Sequence, residues 1–393
     1  MTRSVILAGA RTPFGKLNGS LASKTAVALG IAALDEAITR SKIDRDAIEH
    51  VSMGQVLQAG AGQNPARQVG FGVGLPKTVT SETVNRVCGS GVRALALADG
   101  AIQLGDQRVV AVGGMDSMSN APFALRKARG GYRMGDGALE DLALSDGLLS
   151  AGDGCSMGEQ ASMVAAQEHV SREEQDEWAL RSHTRAIAAI DSGRFAREIV
   201  AVDVEQGKHS VRVDTDEAPR RDTSAEALAK LRPAFGPEST VTAGNAPGLN
   251  DGASAFVVAS DNWAASHGAP VAATILGFGQ AAWDAPYLAY TPAMATVKAL
   301  EKAGIGIGEV DLFEINEAFA SVTLISARRL GIDLKRVNVN GGAIAIGHPL
   351  AASGGRIVLT LIEELTQRGG GIGVAAICSG GGLGDAVVVR VDG

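Results

Sequence analysis

Cysteine is scarce in this chain, with three residues in 393, at positions 88, 155 and 378. So few cannot staple a fold, and their spacing matches no zinc-ligand motif, which excludes a disulfide framework and a cysteine-built metal site. A reducing, cytoplasmic setting is expected. Aromatics make up only 4%, so Ala, Val, Ile and Leu must build the core. No run approaches the ~18 apolar residues of a membrane span. The first apolar run is broken by Arg11 and Pro13, so no signal sequence and no membrane partner are expected. Positive charge is not in surplus either. Lys plus Arg is 36 against 43 acids, a net of −7, which argues against a nucleic-acid surface while allowing a local basic patch for a phosphorylated ligand.

Glycine and short apolar runs are what the chain has instead. Glycine numbers 51, well above the usual ~7% share, without a Gly-X-Y period, and it clusters in loops beside apolar segments. Runs at 5–8, 51–57, 109–112, 256–259, 271–276, 373–377 and 386–391 read as strands buried on both faces. Ala-rich helical patterns lie between them at 25–38, 92–104, 294–303 and 355–367. This alternation predicts an α/β architecture with mostly parallel sheets.

The pattern also repeats. NRVCGSG, a helix, a turn and RVVAVGG near residue 110 correspond to NVNGGAIAIGHPLAASG, a helix, QRGGG and IGVAAICSGG near residue 375. HVSMGQVLQ at 50–58 corresponds to VDLFEINEAF at 310–319. Two duplicated halves are therefore expected. The first spans 1–118 plus 250–271 and the second 272–393, with 119–249 inserted as a loop domain. Within the insertion, Ser171 and Glu174 form a capping-box pattern that opens a helix running to about Ser192.

Four residues stand out chemically. Cys88 precedes Gly-Ser-Gly and a helix, where backbone N–H groups and the helix dipole favour thiolate, so it is a candidate nucleophile. The bland alternative is a small buried hydrophobe. His348, in GGAIAIGHPL, is its rough counterpart in the second half and a candidate base, or else a residue packing a helix start beside Pro349. Cys378 ends a strand before SGGGLG, where glycines free backbone N–H groups for an oxyanion hole. A redox pair of Cys88 with Cys378 competes with that role. Asn316 can hold a water, and the water an oxyanion, without a full charge; otherwise it is an ordinary N-cap. Glu317 reads as a structural hydrogen-bonding residue and Cys155 as a structural one.

At these residues the chain resembles the thiolase family over essentially its whole length. The matching segments are ARTPFGKLNGSL, NRVCGSG, GGMDSMSNAP, MGEQA, KLRPAF, TVTAGN, INEAFA, VNVNGGAIAIGHP and CSGGGLG. The resemblance implies two βαβαβαββ halves in a layered αβαβα core, with a loop domain inserted in the first half. It implies an acyltransferase of fatty-acid metabolism that condenses two acetyl-CoA into acetoacetyl-CoA and CoA, and reverses that reaction, without a cofactor or metal. Cys88 would accept the acyl group, His348 would activate it, and Cys378 would move the proton on the acetyl carbon. His348 with a water on Asn316 would form one oxyanion hole, and the N–H groups of Cys88 and Gly380 the other. Coenzyme A would lie over the insertion, with Arg220 beside the adenine. Leu231, Phe235, Met157, Ala318 and Phe319 would line the pantetheine tunnel, and Ala243 and Gly244 would approach from TVTAGN. The loop at 117–136 would join two dimers into a homotetramer.

Pro247, Ser156, Ala227 and Ala351 depart from the short-chain members, which usually carry Ser, His, Ser and Gly there. A broad-range 3-ketoacyl-CoA thiolase of β-oxidation and a non-catalytic acyl-CoA binder are the alternatives. A ketosynthase, which pairs its Cys with two histidines, has no use for Cys378.

Overall fold

The computed structural model describes residues 2–393. A ten-stranded sheet system organises the chain. In chain order its main strands are β1 (Ser4–Arg11), β2 (His50–Gly54), β3 (Thr80–Val84), β4 (Val109–Ser117) and β5 (Asn250–Ser260). They continue with β6 (Ala273–Ala282), β7 (Leu312–Ile315), β8 (Gly371–Ser379) and β9 (Leu383–Val391). The lateral order is β7-β8-β9-β6-β1-β5-β4-β2-β3. Among the described residues, strand pairing between the two halves is confined to Val5 with Thr274 and Ile6 with Ala273, so the sheet is two half-sheets touching along one edge. Each half has the same order, since a parallel bridge from Phe313 to Val337 takes the place beside β7 that β3 has beside β2.

The duplication is visible in the helices too. Those of eight residues or more are α1 (Ala26–Ser41), α2 (Pro65–Gly72), α3 (Ser90–Leu104), α4 (Met157–Gln167) and α5 (Arg172–Asp191), then α6 (Thr291–Ala303), α7 (Ala320–Leu330) and α8 (Leu350–Gln367). Strand side chains alternate between layers with a period of two. Ile6, Val110, Val112, Phe256, Ile377 and Val389 point to a central core with α3 and α8. Leu7, Val109, Ala111 and Val257 face an outer core under α1 and α2. Val374, Ala376 and Val388 face the opposite outer core under α6 and α7. Three cores separated by two half-sheets make the five-layer αβαβα arrangement, with α3 and α8 side by side in the middle.

The sheets are not mostly parallel, which corrects the sequence expectation. Pairs β2–β3, β2–β4 and β7–β8 are parallel. The β1–β5, β1–β6, β4–β5, β6–β9 and β8–β9 pairs are antiparallel. Continuous apolar runs report that a strand is covered on both faces, and that holds here for either direction.

Of the segment between Asn120 and Asn250, α5 is capped reciprocally by Ser171 and Glu174. Residues 123–141 make an excursion in which Phe123–Ala124 pairs with Glu140–Asp141 and Arg126 pairs with Glu140. Met134, at its far end, is 96% exposed. Among the described residues, no helix is long and apolar enough to cross a membrane.

Candidate active site

One cavity brings together Cys88, His348, Cys378 and Gly380 with Met157, Phe235, Pro247, Ala318 and Phe319. Its lining carries no Asp, Glu, Lys or Arg among the described residues, so a charge formed inside would be felt strongly.

Cys88 sits on a tight elbow just before α3, whose N-cap is Gly89. Val87, a β-branched residue, has φ 48, a genuine outlier that local bonds hold in place. Arg86 N–H donates to Ser90 Oγ at 2.8 Å, and Ser90 Oγ donates to Val87 O at 2.6 Å. The residue is 3% exposed. Burial, with the nearby Asp116 carboxylate, pushes it up to about 12, although the N–H groups of Cys88 and Gly380 oppose the shift. The expectation of a ready thiolate is therefore corrected. Desolvation outweighs the helix terminus, and the proton must leave during the reaction.

His348 is placed to take it. Its backbone N–H donates to Asn250 Oδ1 at 2.8 Å, in a turn where Gly347 has φ 114. Any Cβ on Gly347 would stand 2.7 Å from the Asn250 amide. The ring Nδ1 lies 2.5 Å from Ser353 Oγ. Ser353 spends its own hydroxyl proton on Pro349 O at 2.8 Å, so it must accept from Nδ1–H. Nε2 is then the unprotonated nitrogen, and it is buried without a protein partner. Burial and the charge of Arg356 lower the imidazole to about 3, so it is neutral at physiological pH.

Asn316 is fully buried just past β7, and both atoms of its side-chain amide lack partners. Its backbone N–H goes to Ala376 O at 2.9 Å. It is not an N-cap, since α7 begins at Ala320 after Phe319. Orphaned buried amides are rare, and this one is suited to holding a water. Glu317 beside it accepts from Trp178 Nε1, Ser182 Oγ, Asn338 Nδ2 and Ile344 N–H, tying α5 to the second half. Cys378 is the penultimate residue of β8, and burial and the neighbouring Cys88 hold its thiol well above the usual range.

Arg220, Leu231, Ala243 and Gly244 lie outside the lining of this cavity. Arg220 is exposed, with its N–H on His183 Nδ1. Leu231 packs so closely on Gly244 that a Cβ there would stand 2.5 Å from Leu231 Cδ1. Phe235 lies on Gly158 in the same way. Of the departures, Ser156 caps α4 reciprocally with Glu159, and Pro247 is half-buried in the lining. Ala227 is exposed, and Ala351 is buried at the start of α8. Cys155 is an exposed free thiol in a loop, not a packed one.

Sequence reasoning missed Met118, Leu144, Leu148, Leu149, Leu249, Leu288, Leu350 and Ser379, which form much of the wall. The leucine-rich LALSDGLL of the insertion was a usable signal, because an apolar cluster in a polar excursion must cover something.

Comparison with known proteins bears on the family and the fold. The thiolase N-terminal domain model matches residues 4–262 and the C-terminal domain model residues 269–391. The chain is 47% identical over 391 residues to the acetyl-CoA acetyltransferase of Escherichia coli K12, covering 99% of each. It is 46% identical over 389 residues to the enzyme of that name from Pseudomonas aeruginosa, again covering 99% of each. The crystal structure of the Bacillus anthracis acetyl-CoA acetyltransferase superposes with a TM-score of 0.97 at 40% identity, covering 100% of this chain and 99% of that one.

Proposed function

The chain belongs to the thiolase family, and from that premise we infer that it is an acetyl-CoA acetyltransferase, interconverting two acetyl-CoA with acetoacetyl-CoA and CoA. The observation that carries this reading is the uncharged cavity holding two buried thiols beside an imidazole whose free Nε2 has no protein partner. Relatives named for that activity match along the full length.

The chemistry follows from the raised thiols. His348 Nε2 takes the Cys88 proton as sulfur attacks the thioester carbon, so thiolate appears only when it is used. The tetrahedral oxyanion is held by the N–H groups of Cys88 and Gly380. It collapses, breaking the bond to CoA sulfur, which takes the proton of Cys378. The Cys378 thiolate left behind is a strong base because its thiol is so weak an acid. It removes a methyl proton from a second acetyl-CoA, whose enolate oxygen is held by His348 and an Asn316-bound water. That carbon attacks acetyl-Cys88, the Cys88 thiolate leaves, and it recovers the proton from His348.

CoA thioesters are the substrates, and the reading requires no cofactor. CoA would run outward past Phe235 and Met157 toward Leu231, Ala243, Gly244 and Arg220. Residues 119–249 would form the unit that carries it, between halves at 1–118 plus 250–271 and at 272–393. The exposed excursion at 123–141 supports a homotetramer, and a cytoplasmic location goes with it. Steady-state thiolysis of 3-ketoacyl-CoA substrates of rising chain length tests the reading. Acetoacetyl-CoA should give the highest kcat/KM; a maximum at longer chains would make this a broad-range thiolase instead.

A further inference from the structure

Two loops carry the two thiols of the site, and two polar contacts join those loops across the halves. Gly89, directly after Cys88, donates its N–H to Ser379 Oγ at 2.8 Å, sharing it with Arg86 O at 3.1 Å. Ser379 directly follows Cys378. Arg86 Nε donates to Asp385 Oδ2 at 3.2 Å, and Asp385 lies opposite Ile377 in the β8–β9 hairpin. Both anchors of the Cys88 elbow thus belong to the hairpin that bears Cys378. Ser379 and Asp385 are buried, so water does not compete for the Gly89–Ser379 bond, whereas the Arg86 side chain is 24% exposed and its ion pair is shielded only in part. The fit has no slack. A Cβ on Gly89 would stand 2.6 Å from Asp385 Oδ2 and 2.7 Å from Ser379 Oγ.

The elbow needs such an anchor. A β-branched residue at φ 48 persists only where its surroundings over-determine the backbone. The local bonds do part of this, with Val87 N–H on Asn85 Oδ1 and Ser90 Oγ bonded on both sides. All of these lie within residues 85–90, so they fix the shape of the elbow and not its place relative to Cys378.

We propose that Ser379, supported by the Arg86–Asp385 pair, is a positioning residue that sets the Cys88 elbow against the Cys378 hairpin. It thereby aims the Cys88 and Gly380 N–H groups at one acyl oxygen. The arrangement has a counterpart at the other helix. Asp116, at the end of β4, accepts the Ala351 N–H of α8 at 2.7 Å. Each half thus caps the catalytic helix of the other from the end of its own strand. The cap beside the nucleophile is a neutral hydroxyl, and Arg86 balances the carboxylate behind it.

The proposal rests on the acyl-transfer reading, and the test separates the two. Ser379→Ala, Ser379→Thr and Arg86→Gln are made in the full chain and followed by steady-state thiolysis of acetoacetyl-CoA, the pre-steady-state rate of Cys88 acylation, and thermal melting. Ser379→Ala should lower kcat by about 10-fold or more, with slower acylation, since a misaimed oxyanion donor costs at least that much. Its KM should stay within about two-fold, and its melting point should fall only slightly, because the Gly89 N–H keeps Arg86 O as an acceptor at 3.1 Å. Ser379→Thr, which keeps the hydroxyl, should recover most of the rate. Arg86→Gln should act in the same direction, and the double variant should lose less than the product of the two effects. Unchanged kcat in Ser379→Ala, or a loss that follows KM or melting point, overturns the proposal. Wild-type chain inactive on acetoacetyl-CoA would instead overturn the functional reading.

Discussion

The helix starts that carry Cys88 and His348 occupy equivalent places in the two halves, yet they are built for opposite tasks. Before α3 the chain is strained at Val87 and presents a thiol whose proton is hard to remove. Before α8 the strain falls on Gly347, which tolerates it, and the side chain presented is an imidazole kept neutral by burial and Arg356. Their caps differ in the same sense: hydroxyl Ser379 on one, carboxylate Asp116 on the other. Burial raises the Asp116 carboxyl to about 6. The duplicated scaffold supplies two helix starts aimed at one cavity, and single residues decide which becomes nucleophile and which base.

The largest expected effects lie on the two side chains themselves. Cys88→Ala should abolish acylation, and His348→Ala should cost about 10²–10⁴-fold in both half-reactions, as loss of a general base does. Cys378→Ser should still be acylated at Cys88 but fail to exchange acetyl methyl protons. Exchange at the wild-type rate would remove Cys378 from that role.

Asn316→Ala should lower kcat by about 10²–10³-fold through the enolate step, with acylation of Cys88 much less affected. Equal losses in both steps would break the assignment of separate oxyanion holes.

Asp116→Ala leaves the N–H groups of Val56, Leu57 and Ala351 without their acceptor. It should cost about 1–3 kcal/mol of stability by denaturant titration. A neutral outcome would show that the α8 start is held by packing alone.

The alkylation rate of Cys88 by iodoacetamide should keep rising with pH beyond 9. A thiol pushed up to about 12 is still almost wholly protonated at pH 9, so its thiolate fraction goes on growing above that pH. A plateau near neutral pH would restore the preformed thiolate that the helix terminus alone suggested.

The smallest effect is expected at Pro247→Ser. One recovered hydrogen bond of about 0.5–1.5 kcal/mol should lower KM for CoA substrates a few-fold with kcat nearly constant. Steady-state kinetics checks it, and an unchanged KM would mean that this position does not set CoA affinity.

Much of this was legible in the chain. The apolar runs mark strands, Ser171 with Glu174 marks the start of α5, and the two repeated segments mark the halves. Strand direction was not, because an apolar run says that a strand is covered and not which way it points. The leucines at 144, 148 and 149 went unassigned, since what they cover lies on other segments of the chain.

The sequence by itself determined the chemical inventory: two thiols in glycine-rich turns, a histidine before a helix, an amide after a strand, and duplicated halves to present them. Those are local properties, set by backbone propensity and spacing. Tertiary structure decided the protonation states and the alignment. Burial made Cys88 a poor acid and His348 a neutral base, and the serine that holds the first elbow sits 290 positions away from Gly89. Desolvation and cross-chain hydrogen bonds depend on which distant segments close around a group, so no local pattern encodes them.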